Sequence, residues 1–237
     1  MPIALIADIH GNLPALQAVL DDIHRRGIQS IYCLGDMVGK GPSSAQVLDS
    51  VRDRCEKVVY GNWDRLVTRS DNHGGPWYRA QLGEEKLKYL TQLPEALLFT
   101  LGGKSIKLYH GRFSVPGLVM PDSPRDVVEQ ALNACGENGA HIVGIADMHH
   151  PYLFTMDGRT LFNTGSVGNA TDGLAEASYA ILHEMPRGIS IELVRLSYDN
   201  EKAVDMAMAI DDLPMRDAYI YEVRTGYYGR GSGQKLR

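Results

Sequence analysis

Three short apolar runs near the start of the chain stop on the same kind of residue. Ile3 to Ala7 is followed by Asp8-Ile9-His10, Ile31 to Leu34 by Gly35-Asp36, and Lys57 to Tyr60 by Gly61-Asn62. Apolar runs this short, closed by turn formers, read as strands buried on both faces. Between the first two runs, Asn12 can cap a helix, Pro14 suits its first turn, and Leu16, Val19, Leu20 and Ile23 recur at helical spacing. Val47, Leu48 and Val51 give a second, shorter helix face. Repeated strand-helix units predict a largely parallel α/β sheet with right-handed crossovers. In such a sheet the carboxyl ends of the strands line one crevice. Asp8, His10, Asp36 and Asn62 are therefore expected to converge although they are far apart in sequence.

The remainder is less regular. Arg69 to Pro76 reads as a polar loop and Glu84 to Leu93 as a helix. Hairpins are predicted around Gly102-Gly103 and Asp157-Gly158, and a helix after Ser123-Pro124 with Val127, Val128, Ala131 and Leu132 inward. His141 to Ile145 reads as a strand, Ala177 to Leu182 and Ile189 to Leu196 as a strand pair, and Asn200 to Asp211 as a helix. His110 ends one of these strands, and Asp147 and His149 follow another. Taken singly, an Asp-x-His is usually a turn and a lone histidine a satisfied core residue. Their order and shared placement at strand ends instead describe a mixed nitrogen and oxygen ligand set suited to Zn, Mn or Fe.

Bulk properties narrow the function classes. The 237 residues carry a formal net charge of -5, which argues against a broad nucleic-acid surface. Three scattered cysteines with no CxxC pair suit a reducing cytoplasm. The N-terminus has no charged leader, and no apolar run reaches the ~18 residues of a membrane span. With no repeats and no linker, residues 1–225 read as one domain. The Gly-rich tail 226–237, with Arg230, Lys235 and Arg237, reads as a flexible end, against a lid or partner contact. A homo-oligomer stays open.

The motif order resembles the calcineurin-like metallophosphoesterases, in particular their small bacterial and archaeal phosphodiesterase branch. That family runs D-x-H, G-D, G-N-H-D/E, H and G-H-x-H. This chain has Asp8-Ile9-His10-Gly11-Asn12, Gly35-Asp36, Gly61-Asn62-Trp63-Asp64, His110-Gly111 and Ala146-Asp147-Met148-His149, with Asn163-Thr164-Gly165-Ser166 similar to the family's N-P-G-S loop. The resemblance covers roughly residues 1 to 200. It implies a four-layer sandwich of two mixed β-sheets flanked by helices, and a site for two divalent metal ions, Mn²⁺ first among Fe, Zn, Mg and Ni. Asp8, His10 and His149 would hold the first ion, Asp36 would bridge, and Asn62, His110 and Asp147 would hold the second. A hydroxide between the ions would attack a small phosphorylated substrate, with Asp36, Asn62 and His110 central to catalysis. Asn12, Trp63 and Arg112 are the candidate substrate contacts, Asn12 having helix capping as its plainer role.

Two departures from the pattern matter. Trp63 stands where the family has a histidine that contacts phosphate or protonates the leaving group. Indole N–H has no useful acidity, so substrates with good leaving groups are favoured, and dinucleoside polyphosphates are among those the resemblance allows. Trp63 could stack on a base or pack beside the metals, and Asp64, with no histidine to orient, is left to cap the next helix. Asp147 replaces the other histidine. A third carboxylate takes the loaded site from about +1 to about zero, which favours harder ions and weakens attraction for dianionic monoesters. Arg65, His73 and His150 lie near the motifs, with solvated or capping roles the plainer reading. The competing functions are a phosphomonoesterase or protein phosphatase, and a metal-depleted binding module. Retention of the usual residue at six of the seven metal positions argues against the last.

Overall fold

The computed structural model describes residues 2–111, 119–135 and 140–229. The parallel pattern read from the first three strands holds: β1 (Ile3–Ile6), β2 (Ser30–Cys33) and β3 (Lys57–Val58) pair in parallel, joined by α1 (Leu13–Arg25) and α2 (Ser44–Arg54). β3 is shorter than the run Lys57 to Tyr60 suggested. Val59 still donates to Cys33 O at 3.0 Å, but the Tyr60 amide turns to Pro94 O, so the strand peels away there. Next come α3 (Asn62–Arg69), α4 (Gly75–Gln92), the hairpin β4 (Ala96–Leu101) and β5 (Lys104–Tyr109), α5 (Arg125–Cys135) and β6 (Ile142–Ile145). A second hairpin, β7 (Pro151–Met156) and β8 (Arg159–Thr164), is followed by a third, β9 (Ala177–Met185) and β10 (Gly188–Leu196), and by α6 (Asn200–Met208) and α7 (Arg216–Thr225).

These strands form two mixed five-stranded sheets, in the orders β10-β9-β1-β2-β3 and β4-β5-β6-β8-β7. Strand alternation sorts the core into layers. Ile3, Leu5 and Ala7 point between the sheets with Leu34, Val59, Leu108, Phe162, Ala180 and Leu182. Ala4, Ile6, Tyr179 and Ile181 face the other way, onto α1, α2, α4, α6 and α7 through Leu16, Val47, Leu82, Ala203 and Val223. Val143 and Leu161 cover α5 through Val128, Ala131 and Leu132. The order helices, sheet, sheet, helix is the expected four-layer sandwich, with seven α-helices among the described residues.

Three differences from the sequence expectations have local causes. The loop Arg69 to Pro76 is shorter than expected, because α3 runs to Arg69, a 3-10 turn spans Asn72–Gly74, and α4 opens at Gly75 with Pro76 in its first turn. The predicted helix from Glu84 is the second half of α4, set off by Gly83 at φ 70°. Helix α7 was not foreseen, since buried Glu222 interrupts the apolar stripe of Tyr219 and Val223. At the tail, Gly226 closes α7 and Tyr227 bridges Asp172, whereas Arg230, Lys235 and Arg237 lie outside the described residues. No helix of the described residues is long and apolar enough to cross a membrane. Phe162 is fully buried between the sheets over Gly144, where an added Cβ would sit 2.5 Å from its ring. Phe162→Ala should cost about 3–5 kcal/mol of unfolding free energy by urea denaturation in EDTA.

Candidate metal centre

The site lies where the carboxyl ends of β1, β2, β5 and β6 meet. It is built from strained backbone. Asp8, His10, Asp36, Asp147 and His149 have φ of 52°, 49°, 53°, 66° and 59°. They are five of the nine non-glycine residues at positive φ among the described residues. Such residues cost roughly 1–3 kcal/mol each and persist only where their surroundings over-determine them.

The surroundings do so through hydrogen bonds. The loops after β1 and β2 run side by side, with Asp8 N donating to Gly35 O, His10 N to Asp36 O and Gly11 N to Met37 O, each at 3.0 Å. From α3, the Asp64 carboxylate accepts Gly61 N at 2.9 Å, Asp36 N at 2.9 Å, Met37 N at 3.0 Å and Val38 N at 3.2 Å. It therefore caps α3, as expected, and clamps the Asp36 loop as well. The approach is so close that a Cβ on Gly61 would lie 2.0 Å from Asp36 Oδ1, which explains the glycine before Asn62. At the end of β8, Asn163 Nδ2 donates to Ala146 O at 2.7 Å, and in the loop beyond it Ser166 Oγ donates to Asp8 O at 2.7 Å and Gly168 N to Asp8 O at 3.0 Å. That loop ties β1 to the Asp147 turn.

Asp8, Asp36, His110 and His149 each have one polar atom anchored and another turned inward. Asp8 Oδ2 accepts Asp147 N at 3.1 Å, while its buried Oδ1 makes no hydrogen bond of good geometry. Asp36 Oδ1 accepts Trp63 N at 2.7 Å, and Oδ2 lies 3.5 Å from His10 Nε2 and 3.4 Å from His110 Nε2. His110 Nδ1 donates to Leu34 O at 2.7 Å and His149 Nδ1 to Asn169 O, which turns both Nε2 atoms to the centre. Asp8 Oδ1, His10 Nε2 and His149 Nε2 form one group, with Asp8 Oδ1 and His10 Nε2 each 3.3 Å from His149 Nε2. His110 Nε2 and Asn62 Oδ1, 2.8 Å apart, form another with Asp36 and Asp147, whose Oδ1 is 3.9 Å from His110 Nε2. Asp8 Oδ1 is also 3.8 Å from His110 Nε2, so Asp8 shares the central position with Asp36.

This donor set fits divalent cations. Without a cation the Asn62 amide N–H groups suit the acceptors on Asp36, Asp147 and His110, and its oxygen would turn inward only toward a bound cation. Lone pairs aimed at one another need a cation or a proton between them. Burial would lower the His110 pKa, yet Asp36, Asp8 and Asp147 outweigh it and push it up to about 10. Asp8 is lowered despite burial, by His149 and His110. Burial and Asp36 push Asp64 up to about 7. A bound cation would displace the shared protons.

Residues 1–185 match the calcineurin-like phosphoesterase superfamily domain. The chain belongs to that superfamily. It is 33% identical over 231 residues to the uncharacterised protein MJ0912 of Methanocaldococcus jannaschii, covering 86% of this chain and 90% of that one. It is 31% identical over 100 residues to phosphodiesterase YfcE of Escherichia coli K12, a match spanning 37% of this chain and 54% of YfcE. Its fold superposes on a metallophosphoesterase from Sphaerobacter thermophilus with a TM-score of 0.77 at 24% identity, over 95% and 99% of the two chains.

The substrate contacts expected from the resemblance fare differently from the candidate metal ligands. Asn12 is buried. Its oxygen caps Ala15 N at 3.2 Å, and its amide donates to Gly168 O and Tyr198 Oη, which leaves no N–H of Asn12 for a ligand. Trp63 is 6% exposed, edge-on to His10 at 5.8 Å and seated on Gly39, so it packs beside the metal ligands and offers little face for stacking. Arg112 lies outside the described residues. His73 reaches the outer side of Trp63, with ring centroids 5.8 Å apart, and His150 is half-buried beside His149. Sequence reading overlooked Lys40, Asn169 and Glu222, a buried polar group against the site; the only hint was the glycine-flanked Lys40 just after Gly35-Asp36. Asp64→Asn removes one of the two oxygens that serve four buried amides. It should cost about 1–3 kcal/mol of stability in EDTA and weaken metal binding as well.

Proposed function

We propose that this phosphoesterase hydrolyses phosphodiesters with two divalent cations held by Asp8, His10, Asp36, Asn62, His110, Asp147 and His149. The observation that carries the reading is the convergence of ligand atoms from Asp8, His10, Asp36, His110 and His149 on one buried centre. Bound there, the cations would act as Lewis acids and lower the pKa of water enough to make it a nucleophile at neutral pH. Asp36 Oδ2, between the histidines of both groups, is the natural shared ligand. Asn62 adds an oxygen ligand without adding charge. No acid stands at position 63, where a buried indole packs against His10, so the departing oxygen must be a good leaving group or take its proton from solvent. The carboxylate of Asp147 leaves the loaded site near neutral. That suits a singly charged diester better than a doubly charged monoester, and Mn²⁺ or Mg²⁺ better than Zn²⁺. The similarity to YfcE, a phosphodiesterase, points the same way. Free thiols at Cys33 and Cys55 suit a reducing cytoplasm.

The deciding assay uses EDTA-treated protein reloaded with Mn²⁺ on bis-nitrophenyl phosphate, nitrophenyl phosphate and dinucleoside polyphosphates. Diesterase activity that depends on metal is expected. A preference for monoesters would favour the phosphomonoesterase reading, and purified protein without bound metal or activity would favour a binding module. Asp36→Asn should reduce hydrolysis to the buffer rate without unfolding the chain. Asp147→His should bind vanadate at least about tenfold more tightly, because one unit of charge at ~4 Å is worth up to about 4 kcal/mol in a protein environment. It should also shift the metal preference toward Zn²⁺, read by competition between the two ions. Unchanged vanadate affinity would show that Asp147 does not set the charge of the site.

A further inference from the structure

We propose that Lys40 and Glu222 are positioning residues for His149, so that α7, which lies beyond the matched domain 1–185, is a working part of the first metal site. The proposal rests on the metal-binding reading above.

Asn169 is the junction. Its backbone oxygen accepts the His149 Nδ1 proton, the bond that sets which way that ring points. Its amide N donates to Ser166 Oγ at 2.8 Å, and Ser166 Oγ itself donates to Asp8 O. Its side chain is held from two sides. Lys40 Nζ donates to Oδ1, and Nδ2 donates to Glu222 Oε2 at 2.8 Å. Lys40 and Glu222 face each other at 3.8 Å, and both are almost wholly buried. Glu222 Oε1 accepts Gly229 N at 3.0 Å, so the end of α7 closes over the pair.

A buried ion pair is a poor source of stability, since desolvation takes back most of the attraction. Its occurrence here calls for another reason, and its location supplies one. The two charges come from different elements, Lys40 from the loop after β2 and Glu222 from α7. They meet on the single amide whose backbone carbonyl orients a metal ligand. Lys40 is itself held at φ 58° with its carbonyl accepting Tyr78 Oη at 3.0 Å, a conformation kept only where something requires it.

His110 does not share this arrangement. His110 Nδ1 is oriented by Leu34 O, at the end of β2, where the Leu34 amide donates to Ile6 O at 2.8 Å. A strand ladder fixes that carbonyl, and no side chain is needed to steady it. Loss of the Lys40–Glu222 brace should therefore affect the Asp8, His10 and His149 group and spare the group around His110.

The test is equilibrium dialysis of the full chain against Mn²⁺, with metal counted by mass spectrometry, for wild type, Glu222→Gln, Lys40→Gln and Arg224→Ala. Arg224 also lies on α7, but it pairs at the surface with Glu201. Outer partners of metal-bound histidines typically contribute 10–100-fold to affinity. Both brace variants should bind one of two ions 10–100-fold more weakly and the other as wild type, with Arg224→Ala unchanged. Circular dichroism checks folding, and either folded brace variant is enough to decide. Wild-type affinity for both ions, whatever the melting temperature, would overturn the proposal, as would equal weakening of both, the mark of general loosening. If wild type and Arg224→Ala bind no ion, the metal reading itself fails, a result distinct from failure of the brace alone.

Discussion

Groups that only accept hydrogen bonds repel one another when they are brought together without a donor. The centre of this protein is crowded with such groups: the inward oxygens of Asp8, Asp36 and Asp147, with the imidazoles of His110 and His149 set among them. The rest of the architecture can be understood as the means of holding them there. Strained φ values at five ligands, buried carboxylates and crowded rings all oppose the arrangement. Opposing them are the apolar layer between the sheets and the hydrogen bonds that join the loops after β1, β2 and β8. A chain with looser loops would turn these side chains toward water. The two packed sheets deny them that escape, because the strand ends leave the core already pointing at one another.

The means of support differs across the centre. Around Asp36 it is local and rigid: the parallel ladder of β1 and β2, and one carboxylate, Asp64, that collects amides from both sides of the Gly35 and Gly61 turns. Around His149 it is long-range, passing through Asn169 to side chains far away in sequence. A ligand supported by the ladder can move only if a strand moves. A ligand supported by a buried charge pair depends on residues that could be exchanged singly. Variation within this fold should therefore be tolerated more readily on the Asp8, His10 and His149 side than on the Asp36 side.

The convergence of these residues was legible in the sequence because each stands just past the end of its own strand, and the end of a short apolar run is a local signal. The hairpins were legible for the same reason, through Gly and Asp-Gly turns, whereas the four-layer order came from the family resemblance and not from any local pattern. What was not legible depends on contacts between distant segments. Nothing near Lys40 announces Glu222, and nothing near Asn169 announces His149. The early end of β3 reflects a bond from Tyr60 to Pro94, which no inspection of residues 57–60 could reveal. Helix α7 was hidden by its own buried glutamate, the residue that links it to the site. The two readings of Trp63 separate only when Gly39 is seen beneath the ring, and the helix-capping role of Asn12 could be anticipated because it is satisfied three residues away.

Charge and rigidity meet at Asp147. Its amide anchors Asp8 Oδ2 while its carboxylate faces His110 and Asn62, so the residue serves one half of the centre through its backbone and the other through its side chain. Its left-handed φ of 66° is more accessible to aspartate than to most residues. Gly111 lies against it, where an added Cβ would come within 3.2 Å of the Asp147 Cβ. A histidine side chain could start from the same backbone, and the turn itself does not select the carboxylate. The selection must come from what the side chain meets, and it meets His110 and the Asn62 amide. An anion at this position cancels positive charge that a neutral imidazole would leave in place. With two cations bound as proposed, the exchange would move the centre from one that attracts any phosphate toward one that discriminates by charge, with the backbone unchanged.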